Sequence, residues 1–125
     1  MKKIIDLFCG VGGLSYGFKK NNYKVVAAVD LWEEALLTYK YNFPEVETFN
    51  QDIKDFNKNS LNNIIKNNKK IDGIIGGPPC QGFSTVGTRK VEDKRNHLYL
   101  EFYNIVKKVN PNFFIIENVS GFLNL

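Results

Sequence analysis

What this 125-residue chain has little of already narrows its chemistry. Cysteine occurs twice, at Cys9 and Cys80, and histidine once, at His97. Two distant thiols and one imidazole do not give the closely spaced ligand set of a zinc site, so no metal centre is expected. Nor do they make the disulfide framework of a small secreted domain. No apolar run approaches the roughly 18 residues that a membrane-spanning helix needs, and no leader pattern opens the chain. The expectation is a cytoplasmic protein in a reducing setting, with no membrane partner. Proline is sparse, four residues in all, and two of them stand together at Pro78-Pro79. There is no internal repeat and no linker.

What is present is enough for one folded unit. Hydrophobic residues make up 43% and aromatic ones 14%, which fills a core and excludes a disordered chain. The formal charge of +4 suits a polyanionic partner but is too modest to argue for one alone.

The apolar segments alternate with helical ones. Lys2 to Phe8 reads as a strand, and Cys9-Gly10-Val11-Gly12-Gly13 turns it into a helix over 14–20. Such a turn allows positive φ and close backbone approach, and the helix start offers free N–H groups. A dinucleotide fingerprint would place glycine where Ser15 stands, which disfavours a nicotinamide enzyme. Lys24 to Val29 is a second strand, closed by Asp30 about 17 to 20 residues after the glycine turn, where an acid can accept both ribose hydroxyls. Asp30 equally suits the N-cap of a helix over 33–41, and Leu31-Trp32 offers apolar surface to an adenine ring, although Trp32 reads as packing. A third strand over 46–49 leads to Asp52-Ile53. Residues 56–70, rich in Asn and Lys, read as a peripheral solvated helix with Leu61, Ile64 and Ile65 on one narrow face.

A fourth strand over 71–75 runs into Gly-Gly-Pro-Pro-Cys-Gln-Gly-Phe-Ser, residues 76–84. Two prolines give a stiff extended turn, so Cys80 is presented on a rigid loop at the carboxyl end of a strand, where open α/β sheets place their crevice. Gly76, Gly77 and Gly82 leave room for close approach to the backbone, while Gln81 and Ser84 supply hydrogen-bonding groups beside the sulfur; a core cysteine needs none of these. Cys80 is therefore a candidate nucleophile. Residues 85–96, with Arg89, Lys90, Lys94 and Arg95, read as a functional lid or a surface loop. A helix over 98–109 and a fifth strand over 112–116 close the pattern, and Glu117 follows. The array predicts a parallel sheet covered on both faces, with Asp30, Asp52, Cys80 and Glu117 collected along one edge.

Three stretches together resemble a known family. Asp6 to Leu14 (DLFCGVGGL), Gly76 to Ser84 (GGPPCQGFS) and Glu117 to Val119 (ENV) look like the first, fourth and sixth motifs of the DNA (cytosine-5) methyltransferases. Weaker matches lie at Asp30, Thr38-Tyr39, Asn42-Phe43, Asp52-Ile53 and Arg95 to Tyr99, so the likeness spans the chain. The resemblance implies a Rossmann-like S-adenosylmethionine-dependent fold with sheet order 3-2-1-4-5, incomplete on its C-terminal side, and methyl transfer to carbon 5 of cytosine. It implies a cofactor pocket lined by Phe8, Gly10, Val11, Gly12, Gly13, Leu14, Asp30, Leu31, Asp52, Ile53, Pro79 and Leu98. Cys80 would be the nucleophile and Glu117 its partner, a carboxyl enclosed beside residues 113–116 and kept protonated by desolvation. Ser84, Arg89, Lys90 and Arg95 would contact double-stranded DNA with a flipped cytosine.

Gln51 stands where the family's third motif has glycine, and Trp32 where the second has an acid. The later motifs and the target-recognition region do not appear, so residues 1–125 are expected to be the cofactor-binding and catalytic part of a restriction-modification enzyme. That part would be inactive alone and completed by a C-terminal remainder or a second subunit. A tRNA cytosine-5 methylase and a non-catalytic S-adenosylmethionine-binding remnant are the alternatives.

Overall fold

The computed structural model describes residues 1–79 and 97–118. Strands β1 (Lys2–Leu7), β2 (Tyr23–Val29), β3 (Glu47–Phe49), β4 (Gly73–Gly76) and β5 (Phe113–Ile116) form one five-stranded sheet in the order β3-β2-β1-β4-β5. Every pairing is parallel. Parallel neighbours need crossovers, and helices supply them: α1 (Gly13–Lys20), α2 (Glu33–Asn42), α3 (Ile53–Asp55), α4 (Leu61–Asn68) and α5 (His97–Val109).

Strand alternation builds two core layers. Ile5 and Leu7 face a layer with Phe56, Leu61, Ile64, Phe102 and Ile105, while Ile4 faces one with Leu36, Tyr39 and Phe43. The first layer is roofed by α3, α4 and α5, the second by α1 and α2. A sheet covered on both sides explains why β1 and β2 read as near-continuous apolar runs.

The solvated helix expected over 56–70 takes a different form. Asp52 Oδ1 accepts the Lys54 N–H at 2.9 Å and so starts α3 early. A widened π-type stretch, Phe56–Ser60, then joins it to α4, and Lys69, at φ 61°, ends the helix. Nor is the segment merely peripheral: Phe56, Leu61 and Ile64 are buried in the first layer, and only the Asn and Lys face is solvated. The covering of both faces also fails at β5, where Phe114 and Ile115 are 53% and 43% exposed. Among the described residues β5 pairs only with β4 and presents its outer edge.

Register levels the strand ends. Leu7 lies opposite both Val29 and Gly76, Val29 opposite Phe49, and Gly76 opposite Ile116. The residues that follow, Asn50, Asp30, Phe8, Gly77 and Glu117, therefore leave the sheet along one rim in that order. β4 is held close to its neighbours by glycine. A Cβ at Gly76 would strike the Leu7 carbonyl oxygen, and one at Gly73 would strike the Phe113 ring. A backbone oxygen in a central strand cannot yield, whereas a ring can turn. Gly76→Ala is therefore expected to lower stability by about 1–3 kcal/mol in urea unfolding. Gly73→Ala should cost less, and the reverse order would contradict this packing.

Candidate active site

The rim is shaped first by the turn after β1. Phe8 has φ 57°, Gly10 φ 55° and Gly12 φ 104°, so the chain reverses through left-handed conformations before α1. At Phe8 this costs on the order of 1–2 kcal/mol and persists only because its surroundings fix it. Those surroundings are specific: Cys9 N–H donates to the Val29 carbonyl at 3.0 Å, and Gly12 N–H to the Cys9 carbonyl at 3.0 Å. Gly12 is required for packing as well as φ, because a Cβ there would lie 2.5 Å from Phe43 Cε2. The close approach expected at this glycine is thus made by α2 of the protein itself.

Asp30 organises the neighbouring loop. Its Oδ2 accepts the Gly10 N–H at 2.7 Å and its Oδ1 the Trp32 N–H at 2.8 Å. It does not cap α2, whose N-cap position is Trp32, without a side-chain cap. A carboxylate has about four acceptor positions, so capacity for hydroxyl donors remains. Asn50 Nδ2 donates to the carbonyls of Asp30 and Leu31, both at 3.1 Å, tying the end of β3 to the same loop.

Between these loops lies a cleft of about 280 Å³, near the lower end of the roughly 300–1,000 Å³ usual for small-molecule sites. Of the residues expected there from sequence, Phe8, Asp30, Leu31, Asp52, Ile53, Pro79 and Leu98 line it. Gly10 touches it only through Asp30. Val11, Gly12 and Gly13 open instead onto a shallower groove with Tyr16, Lys19 and Lys20, and Leu14 packs on the second core layer. Val29, Gln51, Gly77 and Trp32 line the cleft as well. The reading of Trp32 as packing is corrected: its side chain is 62% exposed on the cleft wall. Its place directly after Leu31 was the signal available, but a single tryptophan looks the same in sequence whether it faces core or cleft.

At the other end of the rim, Glu117 N–H donates to the Gly76 carbonyl at 2.9 Å, so the residue continues the β4–β5 ladder. A Cβ at Gly77 would lie 2.7 Å from Glu117 Oε2; the missing side chain leaves room for the carboxylate. Glu117 is exposed, and the enclosure expected from residues 113–116 is not provided by them. Cys80, Ser84, Arg89, Lys90 and Arg95 lie outside the described residues.

Electrostatics separate the polar groups beneath the rim. Cys9 is 7% exposed, and burial pushes its thiol well above the usual range, with Asp6 and Asp30 adding to the effect. A thiol so placed is not a nucleophile at neutral pH. Burial likewise pushes the Asp6 carboxyl up to about 7. Among the described residues no group of three or more His, Cys, Asp or Glu could hold a metal ion, and no helix is long and apolar enough to cross a membrane.

Comparison with known proteins bears on the same residues. The family model for C-5 cytosine-specific DNA methylase matches residues 2–125. The type II methyltransferase M.DdeI of Desulfomicrobium norvegicum is 45% identical over 124 residues, covering 98% of this chain and 29% of that protein. M.AquIA of Picosynechococcus is 37% identical over 125 residues, which is 50% of its length. A candidate DNA modification methyltransferase encoded within an E. coli prophage superposes with a TM-score of 0.85 at 42% identity, over 98% of this chain and 33% of that one. The chain thus spans between 29% and 50% of the length of these relatives. A match that runs from the first strand to the last residue, on a sheet that superposes this closely, makes the chain a member of the C-5 cytosine-specific DNA methylase family.

Proposed function

We propose that this chain forms the cofactor-binding and catalytic part of an enzyme that methylates carbon 5 of cytosine in DNA within a restriction-modification system. The observation that carries the reading is the cleft, where residues from the ends of β1, β2, β3 and β4 and the start of α5 converge. Its chemistry fits a nucleoside with an apolar extension. Asp30 and Asp52 can accept hydrogen bonds from a ligand, and Leu31, Trp32 and Ile53 give apolar surface. S-adenosylmethionine, bound there, supplies an activated methyl group.

The remaining steps fall to residues on the β4–β5 side of the rim. Carbon 5 of cytosine is too weak a nucleophile to accept a methyl group unaided. The Cys80 thiolate forms a bond to carbon 6, the ring electrons shift toward carbon 5, and the same sulfur leaves once the carbon 5 proton has been lost. Of the two thiols only Cys80 qualifies, because Cys9 is buried with its thiol held protonated. Glu117 follows the strand that pairs with β4, next to the Gly77–Pro79 segment that leads into Cys80. In that position its carboxyl would hydrogen-bond ring nitrogen 3 as charge develops there, with the extruded base itself supplying the enclosure. A base must leave the duplex to be reached, at a cost of a few kcal/mol. Ser84, Arg89, Lys90 and Arg95 would hold the phosphates around it. The rest of the protein, whether the same polypeptide or a second subunit, would complete the site and extend the sheet beyond β5, whose edge and exposed Phe114 and Ile115 suit such an addition.

Trp32 is the chain's one tryptophan and lines the cleft, so ligand entry can be read directly. Titrating S-adenosylhomocysteine should change the tryptophan emission and NAD should not. Asp52→Asn should weaken binding by about tenfold, the value of one hydrogen bond to a charged group. An emission unchanged at saturating ligand would count against the cleft as the cofactor site.

The reaction is tested with the rest of the protein supplied, in the same polypeptide or as a second subunit. DNA carrying 5-fluorocytosine should form a covalent adduct that Cys80→Ser abolishes, and DNA binding should weaken with salt as phosphate contacts are screened. Labelled methyl transfer to tRNA in preference to DNA would refute the assigned substrate.

A further inference from the structure

The cleft wall is rich in side-chain acceptors and short of donors. Asp30 and Asp52 offer carboxylate oxygens, and most of the other side chains there are apolar. Among the described residues only two side chains lining the cleft carry an N–H group, those of Trp32 and Gln51. The Trp32 indole Nε1 already donates to Glu34 Oε2. Gln51 Nε2 donates to nothing among the described residues, so its hydrogens are the free side-chain donors of the wall.

Gln51 is also held in place. Its chain neighbours are fastened, since Asn50 Nδ2 donates to the carbonyls of Asp30 and Leu31 and Asp52 Oδ1 accepts the Lys54 N–H. Its own Oε1 accepts from Ser60 Oγ at 2.9 Å, and both residues are half-buried. Ser60 closes the π-type stretch and precedes α4, yet its hydroxyl makes no cap bond to that helix. The stretch is braced from α5, where Lys108 Nζ donates to the Asn57 carbonyl at 2.9 Å. Ser60 does not line the cleft, so the tied oxygen is directed to the helix side and the amide NH2 is the branch left for the cleft.

We propose that Gln51 is a specificity-determining residue for the purine of the cofactor: its Nε2 donates to a ring nitrogen of the adenine, and Ser60 is the positioning residue that orients the amide. The inference rests on the cofactor reading above for the identity of the ligand. Adenine has one exocyclic amino group, a donor that a carboxylate can accept, and ring nitrogens that only a donor can serve. Asp52 can meet the first requirement and Gln51 the second, from adjacent positions on the same wall. The family's third motif has glycine where Gln51 stands, so the contact belongs to this chain and not to the shared pattern. A glutamine already restrained by Ser60 loses less rotamer freedom when the ligand arrives than an untethered one, which favours binding.

The test uses the chain itself with S-adenosylhomocysteine and its 1-deaza, 3-deaza and 7-deaza analogues, each of which has C–H in place of one ring nitrogen. Affinity is read from the tryptophan emission and checked by calorimetry. Gln51→Met, which keeps the length of the side chain and removes the amide, should weaken S-adenosylhomocysteine by about three- to tenfold, the range of one neutral hydrogen bond. With one of the three analogues that loss should vanish, because the nitrogen that accepts the bond is already gone. Gln51→Glu keeps an oxygen for Ser60 but has no donor, so it should lose at least as much, and it serves where Gln51→Met does not fold. Ser60→Ala should weaken binding by a smaller factor and cost nothing further in the Gln51→Met background; an additive loss would overturn the positioning role. If the parent binds S-adenosylhomocysteine and Gln51→Met binds it equally well, or loses the same factor with all the ligands, the proposal is overturned while the cofactor reading stands. If the parent binds none of them, both fall.

Discussion

Two backbone amides converge on one carboxylate, and the cleft depends on it. Gly10 and Trp32 each donate to a separate oxygen of Asp30, at 2.7 and 2.8 Å. Hydrogen bonds from amides to an ionised acceptor are among the stronger ones available, and two on one rigid group fix orientation as well as distance. The turn after β1 is thereby fastened to the loop after β2. Asn50 extends the fastening to β3 through two carbonyls of that loop. Three strand ends are locked into one surface. Without that lock, a left-handed Phe8 in a turn that also holds Gly10 and Gly12 would have many conformations open to it, and the wall it contributes would not persist.

The sheet divides labour along its rim. The β3-β2-β1 side carries the acids and apolar walls of the cleft, and β4 and β5 carry the Gly77–Pro79 exit and Glu117. Because register sets Leu7, Val29, Gly76 and Ile116 level, the two halves share one edge. β1 lies in the middle, its neighbours reached by crossovers in opposite directions, which is where open α/β sheets form their crevice. Glycine sustains the arrangement on the β4 side. Gly76 lets β1 approach and Gly77 leaves space for the Glu117 carboxylate.

Most of this was legible in the residues, for reasons that also explain what was not. The five strands are short apolar runs bounded by Gly, Pro, Asn or Asp, and hydrophobic period locates them to within a residue or two. Cleft residues within a few positions of strand ends, such as Asp30 and Asp52, were found because strand ends are predictable. Trp32 was misread because exposure is a tertiary property that no local period records. The π-type stretch at Phe56–Ser60 shifts the helical phase, which is how Phe56 and Leu61 both reach the core despite polar residues between them. At Gly12 the space a side chain would fill is taken by Phe43, just past α2, and Tyr39 of α2, a contact no single-segment pattern contains. The enclosure of Glu117 failed for a related cause: β5 is an edge strand, and its apolar run does not by itself bring cover.

Depth along a strand decides what an acid can do here. Asp6 stands before the end of β1, sealed by α1 and α2, where burial favours the neutral form. Asp30 stands just past the end of β2, where the Gly10 and Trp32 N–H groups donate to its two oxygens and tie the loops together. Glu117 stands just past the end of β5, open to solvent. The same logic separates the thiols. Cys9 lies within the folded turn and is held protonated, which leaves it unsuited to covalent chemistry. A fold that sets strand ends level can thus offer acids of different character with few residue types, by moving each a position or two across the boundary between core and rim.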